Sequence, residues 1–143
     1  MVMEPSPLNG RWQPVPTKPG IMTAPGLIVY RFGSDLFFAN DHVFTAEVIE
    51  LVDAASGDLH SLVIDAGAIT ALDYSAALTL SDLITDLQER KVAVIFGRVN
   101  PYLRADMDRH RITQIVGESN IFDTLHEALA HAGISPPREV NAL

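Results

Sequence analysis

The chain has 143 residues, 48% of them apolar, so it can build one ordinary core and is too short for two sizeable domains. Its formal charge of −8 argues against nucleic acid as a partner, because backbone binding by counterion release needs clustered Lys and Arg. The absence of cysteine excludes disulfides, thiolate zinc sites and cysteine nucleophiles, in keeping with a reducing compartment such as the cytosol.

Residues 1–25 hold six of the nine prolines and few large apolar residues. That composition predicts neither helix nor ladder but an extended Pro-rich linker, with Trp12 packed on the domain or unordered in preference to a place at a membrane interface. Nothing in the chain approaches the ~20 apolar residues that cross a bilayer, and the N-terminus lacks the basic-then-apolar order of a signal peptide, so no direct membrane insertion is expected and the chain is expected to be soluble when isolated. The folded domain is expected over 26–134, with 135–143 a frayed tail.

Leu27-Ile28-Val29-Tyr30 predicts a first strand with Arg31 at its end, and Gly33-Ser34-Asp35 supplies turn chemistry for a hairpin into Leu36-Phe37-Phe38. Asn40 or Asp41 then caps a helix to about Ser56 that buries Phe44, Val48, Leu51, Val52 and Ala55, and Gly57 ends it.

The stretch Ser61–Arg98 reads as a βαβ unit with a right-handed crossover. Leu62-Val63-Ile64 and Val92-Ala93-Val94-Ile95-Phe96 are continuous apolar runs, the pattern of parallel strands covered on both faces. Between them Ala76, Leu80, Leu83, Ile84 and Leu87 share one helical face. The loop Asp73-Tyr74-Ser75 enters that helix, where unpaired backbone N–H groups and the positive end of the macrodipole allow Ser75 or Asp73 to act as the N-cap, or allow an anion contact or a phosphorylated hydroxyl. Asp65 and Asp73 stand at the carboxyl end of the strand and in the loop after it, where open α/β sheets usually bind ligands, and Arg98 and Asn100 close the next strand at the same edge.

Asn100-Pro101 starts a short helix with Leu103 and Met107 inward, and Ile112, Ile115 and Val116 continue the core up to Gly117. Ile121-Phe122 suggests a brief edge strand, Thr124 to Glu127 matches a capping box, and Gly133 is a stop. The five histidines show no pair at metal-ligand spacing on one helical face, so no metal site is expected.

From Leu27 to His131 the chain resembles a STAS domain, the sulfate transporter and anti-sigma factor antagonist fold, and within it the carboxyl-terminal cytosolic domain of SulP-family sulfate permeases. Asp35-Leu36-Phe37-Phe38-Ala39-Asn40, Asp73-Tyr74-Ser75-Ala76-Ala77-Leu78, and Ile121-Phe122-Asp123-Thr124 followed by Glu127-Ala128 carry the resemblance. It implies an α/β fold with a mixed, mostly parallel sheet flanked by about four helices. It also implies a non-catalytic regulatory domain on the cytoplasmic face of the cell membrane, whose partner is the transmembrane domain of a parent permease. No cofactor is required, and a weak GTP or GDP ligand is implied at the loop Asp73, Tyr74, Ser75 and Ala76, with Asp65, Arg98 and Asn100 nearby. In the antagonist branch the residue matching Ser75 is the phosphorylated serine, so the alternative is a free-standing anti-sigma factor antagonist switched at Ser75. Here Tyr74 stands in place of the usual small residue and Ala76 in place of the usual Gly.

Overall fold

A computed structural model describes residues 1–5, 11–17, 22–55 and 57–133. The expected tail, 135–143, lies outside the described residues. The elements are β1 (Val2–Pro5), β2 (Trp12–Val15), β3 (Leu27–Arg31), α1 (Asp41–Ala54), β4 (Ser61–Asp65), α2 (Tyr74–Glu89), β5 (Ala93–Gly97), α3 (Pro101–Arg109), α4 (Ile112–Val116), a 3₁₀ turn over Glu118–Asn120, and α5 (Leu125–His131). They build one five-stranded sheet in the order β2-β1-β3-β4-β5. The central strands β3, β4 and β5 are parallel, and β1 runs antiparallel to both β2 and β3.

The α/β expectation holds, and the apolar runs explain why. β4 is buried along its whole length and β3 along all but Arg31, because helices or loops cover both faces. On one face Ile28, Tyr30, Leu62, Ile64, Val94 and Phe96 meet α1, α2, α3 and α4. On the other, Leu27, Val29, Val63 and Ile95 meet Ala128 and Leu129 of α5. Gly97 lets α5 approach this closely, since a Cβ there would lie 3.0 Å from that of Ala128. The predicted inward faces of α1 and α2 are all buried. Tyr30, buried in the sheet, donates its hydroxyl to Glu47 of α1; burial first, and then that bond, raise its pKa above the usual phenol range.

Two expectations fail. Residues 1–25 are not simply a linker: β1 and β2 form an antiparallel pair inserted beside β3, with Val2 and Met3 buried. Pro14 sits on the outermost strand and Pro5 at the end of β1, positions where a missing N–H costs little. Beyond the single Val2–Tyr30 pairing, Thr23 stands in for the ladder, its hydroxyl donating to the carbonyl of Met3 and accepting from Val29 N–H.

The second failure is the hairpin from Tyr30 into Leu36–Phe38. β1 and β4 occupy both edges of β3, so Leu36 is left to make one parallel bridge to Leu72, and Phe37-Phe38 turn outward into α1. Asp35 fixes this path. Its Oδ1 accepts from the backbone N–H and the hydroxyl of Thr70 and from Ala71 N–H. Ile121, expected in an edge strand, makes one parallel bridge to Phe96.

Candidate functional site

The loop entering α2 is open to solvent: Asp73, Tyr74 and Ser75 are exposed, while Ala76 is buried against the core. Asp73 is the N-cap, with extended backbone and Oδ1 accepting from Ala76 N–H at 2.8 Å. Its other oxygen accepts from Phe38 N–H at 3.0 Å, so one carboxylate both caps α2 and holds the loop before α1. The neighbouring elements close around the same point. Leu72 N–H donates to Asp106 of α3, Thr79 of α2 donates to Asp41 at the start of α1, and the ring of Tyr74 meets that of His110 edge-on at 6.0 Å.

Around this mouth the surface is aromatic. Among the described residues seven large apolar side chains are exposed, and six of them are Phe37, Phe38, Val43, Tyr74, Leu78 and Tyr102, all in the loop before α1 or in the first two turns of α1, α2 and α3. Phe38 and Tyr102 are each 74% exposed and Tyr74 65%. Scattered apolar residues on a surface need no explanation, but aromatics gathered at one edge and rimmed by polar groups mark a contact surface. Sequence reasoning misses this patch because Phe37-Phe38 reads as the inner part of a strand.

Asp65 and Arg98 do not join the mouth. Period-two alternation puts Arg31, Asp65 and Gly97, direct cross-strand partners at the ends of β3, β4 and β5, on the α5 face, opposite to α2. Asp65 is fully buried. Its Oδ1 accepts from Gly67 N–H at 3.1 Å and from Arg98 Nε at 2.7 Å, and its Oδ2 from Arg98 Nη2, the bidentate geometry of a strong ion pair. That bond raises the pKa of Arg98 above its usual value despite some desolvation. Arg98 takes a left-handed φ of 54°, and its guanidinium lies where a Cβ on Gly67 would come within 2.9 Å of Cζ. Arg31 approaches the same carboxylate at 3.9 Å. Asn100 caps α3, accepting from Leu103 N–H and donating to the carbonyl of Ile69. The sequence's single ligand edge is therefore two sites, on opposite faces of the sheet.

Among the described residues no group of three His, Asp, Glu or Cys side chains is placed to hold a metal, and no helix is long and apolar enough to cross a membrane. The mixed sheet, with the helix starts on one edge and exposed aromatics around one of them, defines an α/β domain. A family model of the STAS domain matches residues 16–128, and the chain belongs to the STAS-domain family. Over 111 residues it is 32% identical to a Mycobacterium tuberculosis protein named "Probable sulfate transporter", covering 78% of this chain and 20% of that one. The chain thus spans about a fifth of that relative's length. In structure it is similar to the STAS domain of a Vibrio cholerae SulP transporter, with a TM-score of 0.65 at 23% identity, covering 79% of this chain and 86% of that one. It is also similar to the murine Slc26a9 anion transporter, with a TM-score of 0.78 at 18% identity, covering 92% of this chain and 22% of the transporter.

Proposed function

We propose that this domain is the non-catalytic regulatory part of a sulfate or other anion transporter, held at the cytoplasmic face of the membrane, and that it acts by docking the aromatic mouth of α2 against the transmembrane domain of its parent. The observation that carries the reading is the collection of Phe38, Tyr74, Leu78 and Tyr102 at one exposed edge, on elements that Asp73 and Asp106 lock together. Aromatic side chains fixed on rigid elements supply large contact area at small entropic cost, which is what a docking surface requires. A relative with 32% identity that is named as a sulfate transporter supports the choice of parent.

The test is binding of the domain to the detergent-solubilised membrane part of its parent. Wild type binds, and Phe38→Ser with Tyr74→Ser weakens the complex by about tenfold or more, as expected for losing two aromatic anchors. A free-standing anti-sigma factor antagonist would instead capture a serine kinase and release it on Ser75→Asp.

Guanine nucleotide at this mouth is the finer part of the proposal. The Asp73 carboxylate already fills the cap, so a phosphate arriving there meets a negative charge and affinity is weak, about millimolar. Titration with GTP and GDP should shift the amide signals of Asp73 to Ala77 alone among the loops; no shift at millimolar nucleotide removes this part and leaves the docking reading standing. The exposed hydroxyl of Ser75 is accessible to a kinase, and a phosphate there would add about two negative charges beside Asp73 and change the docking face directly.

A further inference from the structure

A concavity of about 340 Å³ opens between the β1–β2 pair and α5 and is lined by Met3, Trp12, Leu125 and His126 together with Arg31 and Arg98. We propose that it binds a tetrahedral oxyanion of two negative charges, free or as the terminal group of a small organic ester, between the guanidinium groups of Arg31 and Arg98. This inference does not depend on the transporter reading, and it concerns the opposite face of the sheet from the α2 mouth.

The argument is one of charge and of donors. Two guanidinium groups converge on one carboxylate, that of Asp65, which is buried beneath them. Asp65 neutralises one of them, and Arg98 takes it in a two-pronged grip while Arg31 stands at 3.9 Å. A positive charge is therefore left over at this point in a chain whose net charge is −8. Neither arginine is sealed in: their side chains remain 32% and 39% exposed, so donors not spent on Asp65 can reach the cavity.

The donor surplus extends to Trp12. Its indole N–H is buried without a hydrogen-bond partner, the kind of group that buried structure rarely leaves unpaired. Guanidinium forks match tetrahedral oxyanions by paired N–H···O bonds, whereas a spherical monovalent ion satisfies one prong at a time. The volume equals that of roughly ten waters, enough for such an ion with part of its hydration shell or for a small aromatic ester against Trp12 and Leu125.

Trp12 is the chain's single tryptophan and so reports on its own cavity. The experiment titrates the full chain with sodium sulfate, inorganic phosphate and phenyl phosphate, each at constant ionic strength made up with sodium chloride. It reads Trp12 emission and the amide signals of Arg31, Arg98 and His126. Sulfate and phosphate are expected to give saturable changes that chloride does not. Arg31→Gln, which leaves Arg98 to hold Asp65 and so preserves the fold, weakens both by about tenfold, as the loss of one charge-assisted pair predicts. Arg104→Gln, on a different groove, changes nothing. Saturation by the inorganic ions identifies the free ion as ligand, and saturation by phenyl phosphate alone identifies an ester. The proposal is overturned if none of the three saturates either signal, if chloride reproduces the response, or if Arg31→Gln binds as wild type does.

Discussion

At the same edge of the sheet, the mouth of α2 and the face beneath α5 each centre on an aspartate, and they use it in opposite ways. Asp73 is exposed and spends both oxygens on backbone N–H groups, those of Ala76 and Phe38, so the polar demands of the helix start are met from within. What remains outward is aromatic surface. Asp65 is buried and spends its oxygens on Arg98 and Gly67, with Arg31 close by. What remains outward there is positive charge. A capped helix mouth is thus suited to another protein surface, while an arginine pair over one carboxylate is suited to an anion, although sequence position alone would assign both to one ligand edge.

The largest expected effect separates the two carboxylates by stability. Asp65→Ala strands two guanidinium groups over a buried gap and should cost about 3 kcal/mol, the lower end for breaking a buried pair because both arginines keep some water. Asp73→Ala removes a cap and the Phe38 tether and should cost about 1–2 kcal/mol. Urea unfolding of both variants measures the difference. Equal costs would mean that the contrast between a buried ion pair and an exposed cap is wrong.

Next in size, and opposite in kind, is the mouth itself. Tyr74→Ser and Tyr102→Ser should each move stability by no more than about 0.5 kcal/mol, since both side chains are mostly exposed, yet each should weaken docking to the membrane domain. Thermal melts and binding measured on the same preparations check this. A large loss of stability would show that these rings brace the fold, and Tyr74 with its His110 contact is the more exposed to that outcome.

Much of this is legible in the chain. The buried faces of α1 and α2 follow from three- and four-residue spacing, and the caps Asn100 and Thr124 from residue type and position, whereas for α2 the sequence leaves Asp73 and Ser75 open and the structure selects Asp73. The β1–β2 pair is not, because six prolines in 25 residues read as breakers, and only tertiary placement shows Pro14 on an outer strand and Pro5 at a strand end. The division of the site is also hidden. Continuous apolar runs in β3 and β4 mask the alternation that sends Arg31 and Asp65 to one face and Tyr30 and Ile64 to the other. Counting in twos along each strand, from Val29 and from Val63, carries Arg31 and Asp65 to the same side of the sheet and is the signal in the residues that pairs them.

The smallest effect concerns how firmly the mouth is held. Asp35 gathers three donors from Thr70 and Ala71 and fixes the loop that carries Phe37 and Phe38, alongside the Asp73 tether. Its pKa is lowered from 3.8, chiefly by the Thr70 N–H, then by the Thr70 hydroxyl, with Ala71 adding a little against a small desolvation. A carboxylate depressed in the folded state contributes stability that is fully present above its unfolded value and is lost as pH falls through the lower folded value. Asp35 therefore stays ionised and keeps its three donors at neutral pH and through mild acid, and its contribution is lost only as pH falls below its ordinary value. Amide signals of Thr70 and Ala71 should titrate with a midpoint under that value, and Asp35→Asn should abolish the step while leaving the Arg31 and Arg98 signals unmoved. A midpoint at or above 3.8 would show that the Thr70 and Ala71 donors do not hold Asp35 ionised, and movement of the arginine signals in step with Thr70 would show that the two regions are coupled through this loop.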